Sequence, residues 1–193
     1  MEKGLVHSLA VTPDAAVWAS YPTWWGIAPE PGPIARLDGD SWTVLTKEDG
    51  VPGDGMRDLA VAPDGSLWAI VERDWQQGNT SISRPPMIVH FDGETWRTYE
   101  ARDGIVDPAG GEVTVSEDKN GAYVVNAPAP MFNALMVGPD GTVWVGANRG
   151  LAAYDGRAWR AYPIGPVQAV AVDPGGTIWV GQGNSLVRFT PPE

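Results

Sequence analysis

The chain has 193 residues, no cysteine, and 13 basic against 24 acidic side chains, which gives a formal net charge of −11. Its 24 glycines and 18 prolines make up about a fifth of the residues, against about 12% in ordinary proteins. The acidic balance argues against a nucleic-acid partner, because binding to a phosphate backbone depends on clustered lysine and arginine. The missing cysteines exclude disulfides, thiolate metal sites and cysteine nucleophiles.

Turn residues interrupt the chain so often that helices of ordinary length have almost no room. The longest stretch without glycine or proline is Ser66–Gln77, which is about the length of one average helix. Ten tryptophans and a hydrophobic content of 43% supply more apolar surface than a disordered chain carries. We therefore predict an all-β fold. No apolar run approaches the roughly 18 residues of a membrane span, and the first residues contain no signal-peptide core.

A ten-residue pattern recurs four times, and in every copy a tryptophan follows a proline by five positions. The copies are Leu9–Trp18, Leu59–Trp68, Leu135–Trp144 and Val170–Trp179. In the Pro-Asp-Gly turn of this pattern, proline presets φ, aspartate accepts local hydrogen bonds and glycine tolerates a positive φ. Each copy therefore predicts a tight antiparallel hairpin. Two turns depart from the pattern, since Ala15 replaces the glycine of the first copy and Gly175 replaces the aspartate of the fourth.

A second element, an apolar strand followed by an Asp-Gly turn and a tryptophan, comes after three of the hairpins. The strands are Ile34–Leu37, Ile88–Phe91 and Leu151–Tyr154, and the turns with their tryptophans are Asp38–Trp42, Asp92–Trp96 and Asp155–Trp159. Four antiparallel strands per unit, joined by short turns, are typical of a β-propeller blade. We predict one domain over 1–193, with about four blades at 5–55, 56–106, 131–165 and 166–193.

The segment 107–130 does not fit this spacing. Its central part, Glu112–Asn126, resembles a decayed first hairpin with Tyr123 near the tryptophan position. It is either an inserted hairpin or a fifth, incomplete blade, and insertion is favoured because no third and fourth strands follow before Met131. The fourth blade has three strands where the pattern needs four. We expect an incomplete ring, which is either part of a larger propeller or is completed by assembly of several copies.

The third copy resembles the two-component-regulator propeller repeat. The matching residues are Gly141–Gly146, Gly150, Leu151 and Tyr154–Gly156. The resemblance implies a bacterial β-propeller related to streptogramin-lyase-like and WD40-like propellers. Such repeats occur in ligand-sensing domains of signalling proteins, in enzymes and in binding modules. The compartment stays open, although the resemblance implies an extracytoplasmic sensor part of a larger bacterial protein.

Four aromatic residues outside the repeat positions are the candidate ligand-binding residues: Tyr21, Trp24, Trp25 and Trp75. They lie at or in the long loops between the second and third strands of blades 1 and 2, which we expect on one face of the propeller. Aromatic rings there either stack on a sugar or anchor a protein partner, or they fix the loops to the rim. The seven repeated tryptophans, by contrast, are predicted core residues.

Catalysis finds little support in the sequence. The two histidines, His7 and His90, have no paired carboxylate motif and are predicted to be structural, and no metal-binding or phosphate-loop motif occurs. We predict a non-enzymatic sensor or binding domain without catalytic residues, metal or cofactor, which recognises a small ligand, a glycan or a protein partner. The alternative is an interaction scaffold or half-propeller that self-assembles into a homo-oligomer. A lyase-type or lactonase-type enzyme is the third interpretation.

Overall fold

A computed structural model describes residues 6–21, 33–53, 55–72, 75–77, 80–82, 86–100, 114–117, 123–126 and 132–192. Apart from a single 3₁₀ turn at Lys47–Asp49, the regular structure in these ranges consists of β-strands. The all-β prediction is therefore confirmed. No helix in these ranges is long and apolar enough to cross a membrane.

Three four-stranded antiparallel sheets and one three-stranded sheet form the four blades. Blade 1 contains β1 (Ser8–Val11), β2 (Val17–Ser20), β3 (Ile34–Asp38) and β4 (Ser41–Leu45). Blade 2 contains β5 (Gly55–Val61), β6 (Leu67–Glu72), β9 (Met87–Phe91) and β10 (Trp96–Tyr99). Blade 3 contains β13 (Phe132–Val137), β14 (Val143–Ala147), β15 (Gly150–Tyr154) and β16 (Trp159–Tyr162). Blade 4 contains β17 (Ala169–Val172), β18 (Ile178–Gln182) and β19 (Ser185–Phe189).

The blades follow one another in chain order around an axis that their first strands line. Strand β1 contacts β5, β5 contacts β13, and β13 contacts β17. Each blade then runs outward through antiparallel neighbours, so that its first strand lies innermost and its last strand outermost. This is the β-propeller arrangement predicted from the repeat.

Two short hairpins stand apart from the blades. One pairs β7 (Trp75–Gln77) with β8 (Thr80–Ile82) inside the long connection of blade 2, which the sequence analysis treated as a loop. The other pairs β11 (Thr114–Glu117) with β12 (Tyr123–Asn126). Because β5 contacts β13 directly and β12 lies against β8, the second hairpin does not separate the inner strands of blades 2 and 3. The blade boundaries given above stay predictions.

The turns form as their residue types require. The carboxylates of Asp64 and Asp140 accept hydrogen bonds from the backbone N–H groups of Ser66 and Thr142, at 2.9 and 3.0 Å. The fourth copy lacks this aspartate, and Asp173 before the proline accepts from two backbone N–H groups instead. The prediction that the turn aspartates are turn formers is confirmed for these residues.

Ala15 is the one non-glycine residue with a positive φ among the described residues, at 65°. The matching turn position in blade 2 is Gly65, with φ 88°. An alanine Cβ is strained in this region, whereas glycine is not. We expect Ala15→Gly to raise the free energy of unfolding by roughly 0.5–1 kcal/mol, measured by urea denaturation. The matched change Gly65→Ala should lower the free energy of unfolding by a similar amount. If both changes shifted the free energy of unfolding in the same direction, the strain at Ala15 would be refuted.

Neighbouring blades pack through a contact that recurs three times. The repeated tryptophan of one blade lies beside an aromatic ring of the next: Trp18 beside Phe91, Trp68 beside Tyr154 and Trp144 beside Phe189, at centroid distances of 5.8, 5.8 and 6.1 Å. Three buried apolar clusters surround these contacts. The core prediction holds for Trp18, Trp68, Trp144 and Trp159, whereas Trp96 and Trp179 are half-buried and Trp42 is 42% exposed. Trp42 lies on the face of blade 1 that points away from blade 2, where no described blade precedes it.

Asp58 connects the inner strands of three blades. Its carboxylate accepts a hydrogen bond from the Ser8 hydroxyl in β1, at 3.1 Å, and one from the backbone N–H of Leu135 in β13, at 2.9 Å. The ladder between β5 and β6 is irregular between Met56 and Asp58. A carboxylate that accepts donors from both neighbouring strands holds blades 1, 2 and 3 in register around the axis.

Candidate functional site

A groove of about 490 Å³ opens between blades 2 and 3 on the face that carries the Pro-Asp-Gly turns. Such a volume lies within the range of small-molecule sites, about 300–1,000 Å³. Blade 2 contributes Trp68, His90, Arg97 and Tyr99 to its lining, and the turn of blade 3 contributes Asp140. None of the residues that line this groove was among the candidate ligand-binding residues predicted from the sequence.

The floor of the groove is a cluster of aromatic rings that both blades contribute. Trp68 and Tyr99 are stacked at a centroid distance of 5.5 Å, and Tyr154 lies 5.8 Å from Trp68 and 5.1 Å from Tyr99. All three residues are buried. Their positions follow from the strands, because Trp68 and Tyr99 project from the face of blade 2 that packs on blade 3. The floor is therefore rigid and apolar.

Two nitrogen-bearing side chains cover this floor. The His90 ring lies over Trp68 at a centroid distance of 4.4 Å, and the Arg97 guanidinium lies 4.8 Å from the Tyr99 ring centroid. Burial lowers the pKa of His90, against the opposing effect of Asp64 and Asp92. His90 is accordingly neutral at pH 7, with one nitrogen donating and one accepting.

Carboxylates complete the rim. Asp64 is exposed, and hydrogen bonds from the hydroxyl and backbone N–H of Ser66 lower its pKa. Asp140 is also exposed and accepts from Thr142. A carboxylate oxygen has more than one acceptor site, so both groups can still accept hydrogen bonds from a ligand. The groove is thus lined by two carboxylate acceptors as well as by the donors of Arg97 and His90.

A smaller groove between blades 1 and 2, of about 290 Å³, provides an internal comparison. There Arg36 lies 5.4 Å from the Trp18 ring centroid, as Arg97 does over Tyr99. Arg36, however, forms ion pairs with Asp14 and Asp38, each at 3.0 Å. Among the residues that the structure describes, no carboxylate pairs with Arg97. The Arg97 guanidinium is therefore available to a ligand, whereas Nη2 of Arg36 is already held by two carboxylates.

Tyr21 is the one predicted site residue whose side chain the structure describes. Tyr21 is 2% exposed and packs with Ala19 and Ala35, so its ring contributes to the core of blade 1 and is not available for stacking on a ligand. Trp24 and Trp25 lie outside the described residues. Trp75 begins strand β7, but its side chain also lies outside what the structure describes. A ligand role for Trp24, Trp25 and Trp75 stays a prediction.

The groove residues carried a weak signal in the sequence. His90 occupies the position paired with the repeated tryptophan, where blades 1, 3 and 4 have Arg36, Ala153 and Arg188. A position that varies within an otherwise regular repeat is where a specific function can reside. In the described part of the chain, no group of three or more His, Asp or Glu side chains is arranged to hold a metal ion.

No protein-family model and no curated protein matches the chain. Several solved structures do match the chain. The extracellular domain of a protein described as a hybrid two-component system of B. thetaiotaomicron is 18% identical, with a TM-score of 0.57 over 96% of this chain and 22% of that one. PorZ, a surface component of the type-IX secretion system of Porphyromonas gingivalis, is 16% identical, with a TM-score of 0.59 over 96% and 26%.

An enzyme-like structure is similar as well. A protein described as a gluconolactonase is 15% identical, with a TM-score of 0.51 over 95% of this chain and 59% of that one. The chain therefore spans less than two thirds of the length of each of these three proteins. At such identities the similarity establishes the propeller fold alone.

Proposed function

We propose that the chain is a non-catalytic ligand-binding propeller, and that the groove between blades 2 and 3 is a binding site for a neutral carbohydrate. The observation that carries the proposal is Arg97, whose guanidinium has no carboxylate partner among the described residues and faces a groove that also contains Asp64 and Asp140. Sugar hydroxyls both donate and accept hydrogen bonds. They therefore suit a rim in which carboxylate acceptors lie opposite guanidinium and imidazole donors.

Binding is favoured over catalysis by the protonation states in the groove. A general acid must carry a proton near neutral pH, but the pKa of Asp64 is lowered by the hydrogen bonds from Ser66. His90 is neutral and has no hydrogen-bonded carboxylate partner among the described residues to raise its basicity. Asp64 therefore lacks the raised pKa of a general acid, and His90 lacks the orienting carboxylate that usually accompanies a histidine base. This combination supports recognition of a ligand without chemical conversion.

The sensor role extends this proposal. A two-component-system extracellular domain shares the fold, and the repeat resembles the two-component-regulator propeller family. We infer that the chain is the ligand-recognising part of a longer bacterial signalling protein and lies outside the cytoplasm. Trp24, Trp25 and Trp75 remain a second set of candidate binding residues, for a glycan or protein partner.

Titration with maltose, cellobiose and lactose, followed through the imidazole NMR signals, tests the groove directly. The chain has only two histidines, so a His7→Gln variant assigns the signals of His90. We expect at least one disaccharide to shift the His90 signals and not those of His7. Arg97→Gln should weaken this binding about tenfold or more, which corresponds to the roughly 1.4 kcal/mol or more that hydrogen bonds to a charged group contribute.

Arg160→Gln is the matched control, since Arg160 follows Trp159 in blade 3 as Arg97 follows Trp96 in blade 2 and does not line the groove. It should leave the affinity unchanged. Equal affinities of the Arg97→Gln variant and the wild-type chain would contradict the groove as the site. If the double variant Trp24→Ala/Trp75→Ala alone lost binding, the loop face would be the site instead.

A further inference from the structure

The two ends of the blade array expose opposite faces of the repeat. The first is the outer face of blade 1, here called the leading flank, with Leu9, Val11, Leu37 and Trp42. The second is the outer face of blade 4, here called the trailing flank, with Ala171, Trp179, Leu186 and Arg188. Leu9 and Val11 are each 62% exposed, and Leu186 is 72% exposed. Apolar side chains exposed to this extent on adjacent strands indicate a surface that another molecule covers.

Equivalent positions in the other blades show what covers such a flank. Leu186 lies two residues before the third-strand residue that pairs with the repeated tryptophan of its blade. Ile34, Ile88 and Leu151 have the same position in blades 1, 2 and 3. Those three side chains are 0%, 0% and 1% exposed and belong to the clusters between their own blade and the next. Leu186 has the same place in its blade and remains open to solvent.

On the leading flank too, residues that are exposed in blade 1 have buried equivalents in the blades that a neighbour covers. Leu59 and Leu135 occupy the position of Leu9 in the repeat and are 6% and 5% exposed. Phe91 and Tyr154 each precede an Asp-Gly turn and receive the tryptophan of the preceding blade. Leu37 has this position in blade 1, and it pairs across the strands with Trp42 as Phe91 pairs with Trp96. The leading flank thus has the positions that contact a repeated tryptophan in blades 2 and 3, but no tryptophan of a preceding blade packs on them among the described residues.

We propose that the trailing flank of one copy binds the leading flank of a second copy, with Trp179 packing on Leu37 and Leu186 buried against blade 1 of the partner. The interface would reproduce the three contacts already present within the chain. Both flanks are largely apolar, and their residue types match the surfaces that pair inside the molecule. The occupant is therefore best identified as another copy of this chain.

Two copies joined in this way bring together eight blades. A head-to-tail contact generates either a ring or an open filament, depending on whether its rotation closes. Propellers close with about 4–8 blades, and two copies of a four-blade array reach the upper end of that range. We therefore expect a cyclic dimer in which both interfaces are identical.

Light scattering coupled to size exclusion tests the assembly with the whole chain. Interfaces of ordinary size have Kd values of about 1 μM or tighter, so between about 1 μM and about 100 μM the mass should reach twice the 20.6 kDa of one chain. Leu186→Asp and Leu9→Asp, one on each flank, should each shift the midpoint of association at least tenfold to higher concentration. Ser185→Asp is the control, because it adds the same charge to the opposite face of β19 and should leave the mass unchanged.

Mixing the two flank variants distinguishes a contact between two different flanks from a contact between two identical flanks. A dimer of one Leu186→Asp copy and one Leu9→Asp copy has one doubly altered interface and one unaltered interface. We expect the mixture to dimerise at lower concentration than either variant alone. A monomeric wild-type chain at 100 μM would overturn the proposal and would favour further blades as the covering partner. A dimer that neither flank variant weakens would overturn it as well.

Discussion

Trp68→Ala is expected to lower the free energy of unfolding by about 3–5 kcal/mol, the usual cost of removing a large buried aromatic side chain. Trp68 is 6% exposed and contacts His90, Tyr99 and Tyr154, so its loss opens a cavity at the centre of the interface between blades 2 and 3. Since domains of this size are stable by about 5–15 kcal/mol, the variant should be close to unfolding at room temperature. Urea denaturation followed by circular dichroism measures the difference.

The conservative variant Trp68→Phe keeps a ring on the floor of the groove and should lose less than half as much stability. It should also retain some of the disaccharide binding, whereas a folded fraction of Trp68→Ala should have none. A loss below about 1 kcal/mol for Trp68→Ala, within the range of ordinary substitutions, would contradict the buried packing described here.

Asp58→Ala should cost about 2–4 kcal/mol, although the substitution removes little apolar contact. The change leaves the Leu135 N–H and the Ser8 hydroxyl without the acceptor that they use at the axis. A buried donor without a partner costs about 1–3 kcal/mol, and more where the lost acceptor is charged. Thermal unfolding followed by calorimetry gives the value, and native-state hydrogen exchange at Leu135 reports the loss locally.

Asp58→Asn separates the hydrogen bonds from the charge of this side chain. The amide oxygen can still accept from the Leu135 N–H, and the amide NH2 group can donate to the Ser8 hydroxyl, so both contacts persist without the charge. We expect a loss of about half that of Asp58→Ala. Faster exchange at Leu135 in Asp58→Ala but not in a Ser8→Ala variant would locate the coupling between blades 2 and 3. Identical exchange in all three chains would refute the role of Asp58 as a connector.

The fold was predictable because each blade carries its own local signals. Proline, aspartate and glycine at fixed spacing specify the turns, and the strands between them are too short to form anything but hairpins. Third strands predicted at Ile34–Leu37 and Ile88–Phe91 begin or end within one residue of the observed strands. The hairpin of β7 and β8 was missed, since its three-residue strands are largely polar and lack an alternating apolar pattern.

The groove was not predictable for a different physical reason. It depends on side chains that come together across two blades, such as Trp68 and Tyr154, and the sequence gives no measure of how far apart such residues lie in space. Burial was likewise hidden for Tyr21, because an aromatic residue at the end of a strand can face either the core or a loop. Trp42 was misassigned because its position is buried only where another blade packs on the leading face, and no described blade precedes blade 1.

The repeated contact between successive blades has a consequence for how the protein unfolds. Each blade interacts almost entirely with its immediate neighbours, so the total stability is close to a sum of blade terms and nearest-neighbour coupling terms, as in a one-dimensional lattice. A blade at either end has one coupling term instead of two, and blade 4 has in addition only three described strands. Unfolding should therefore begin as fraying from blade 4 and advance inward, and any molecule that covers the two ends would restore cooperativity to the whole array.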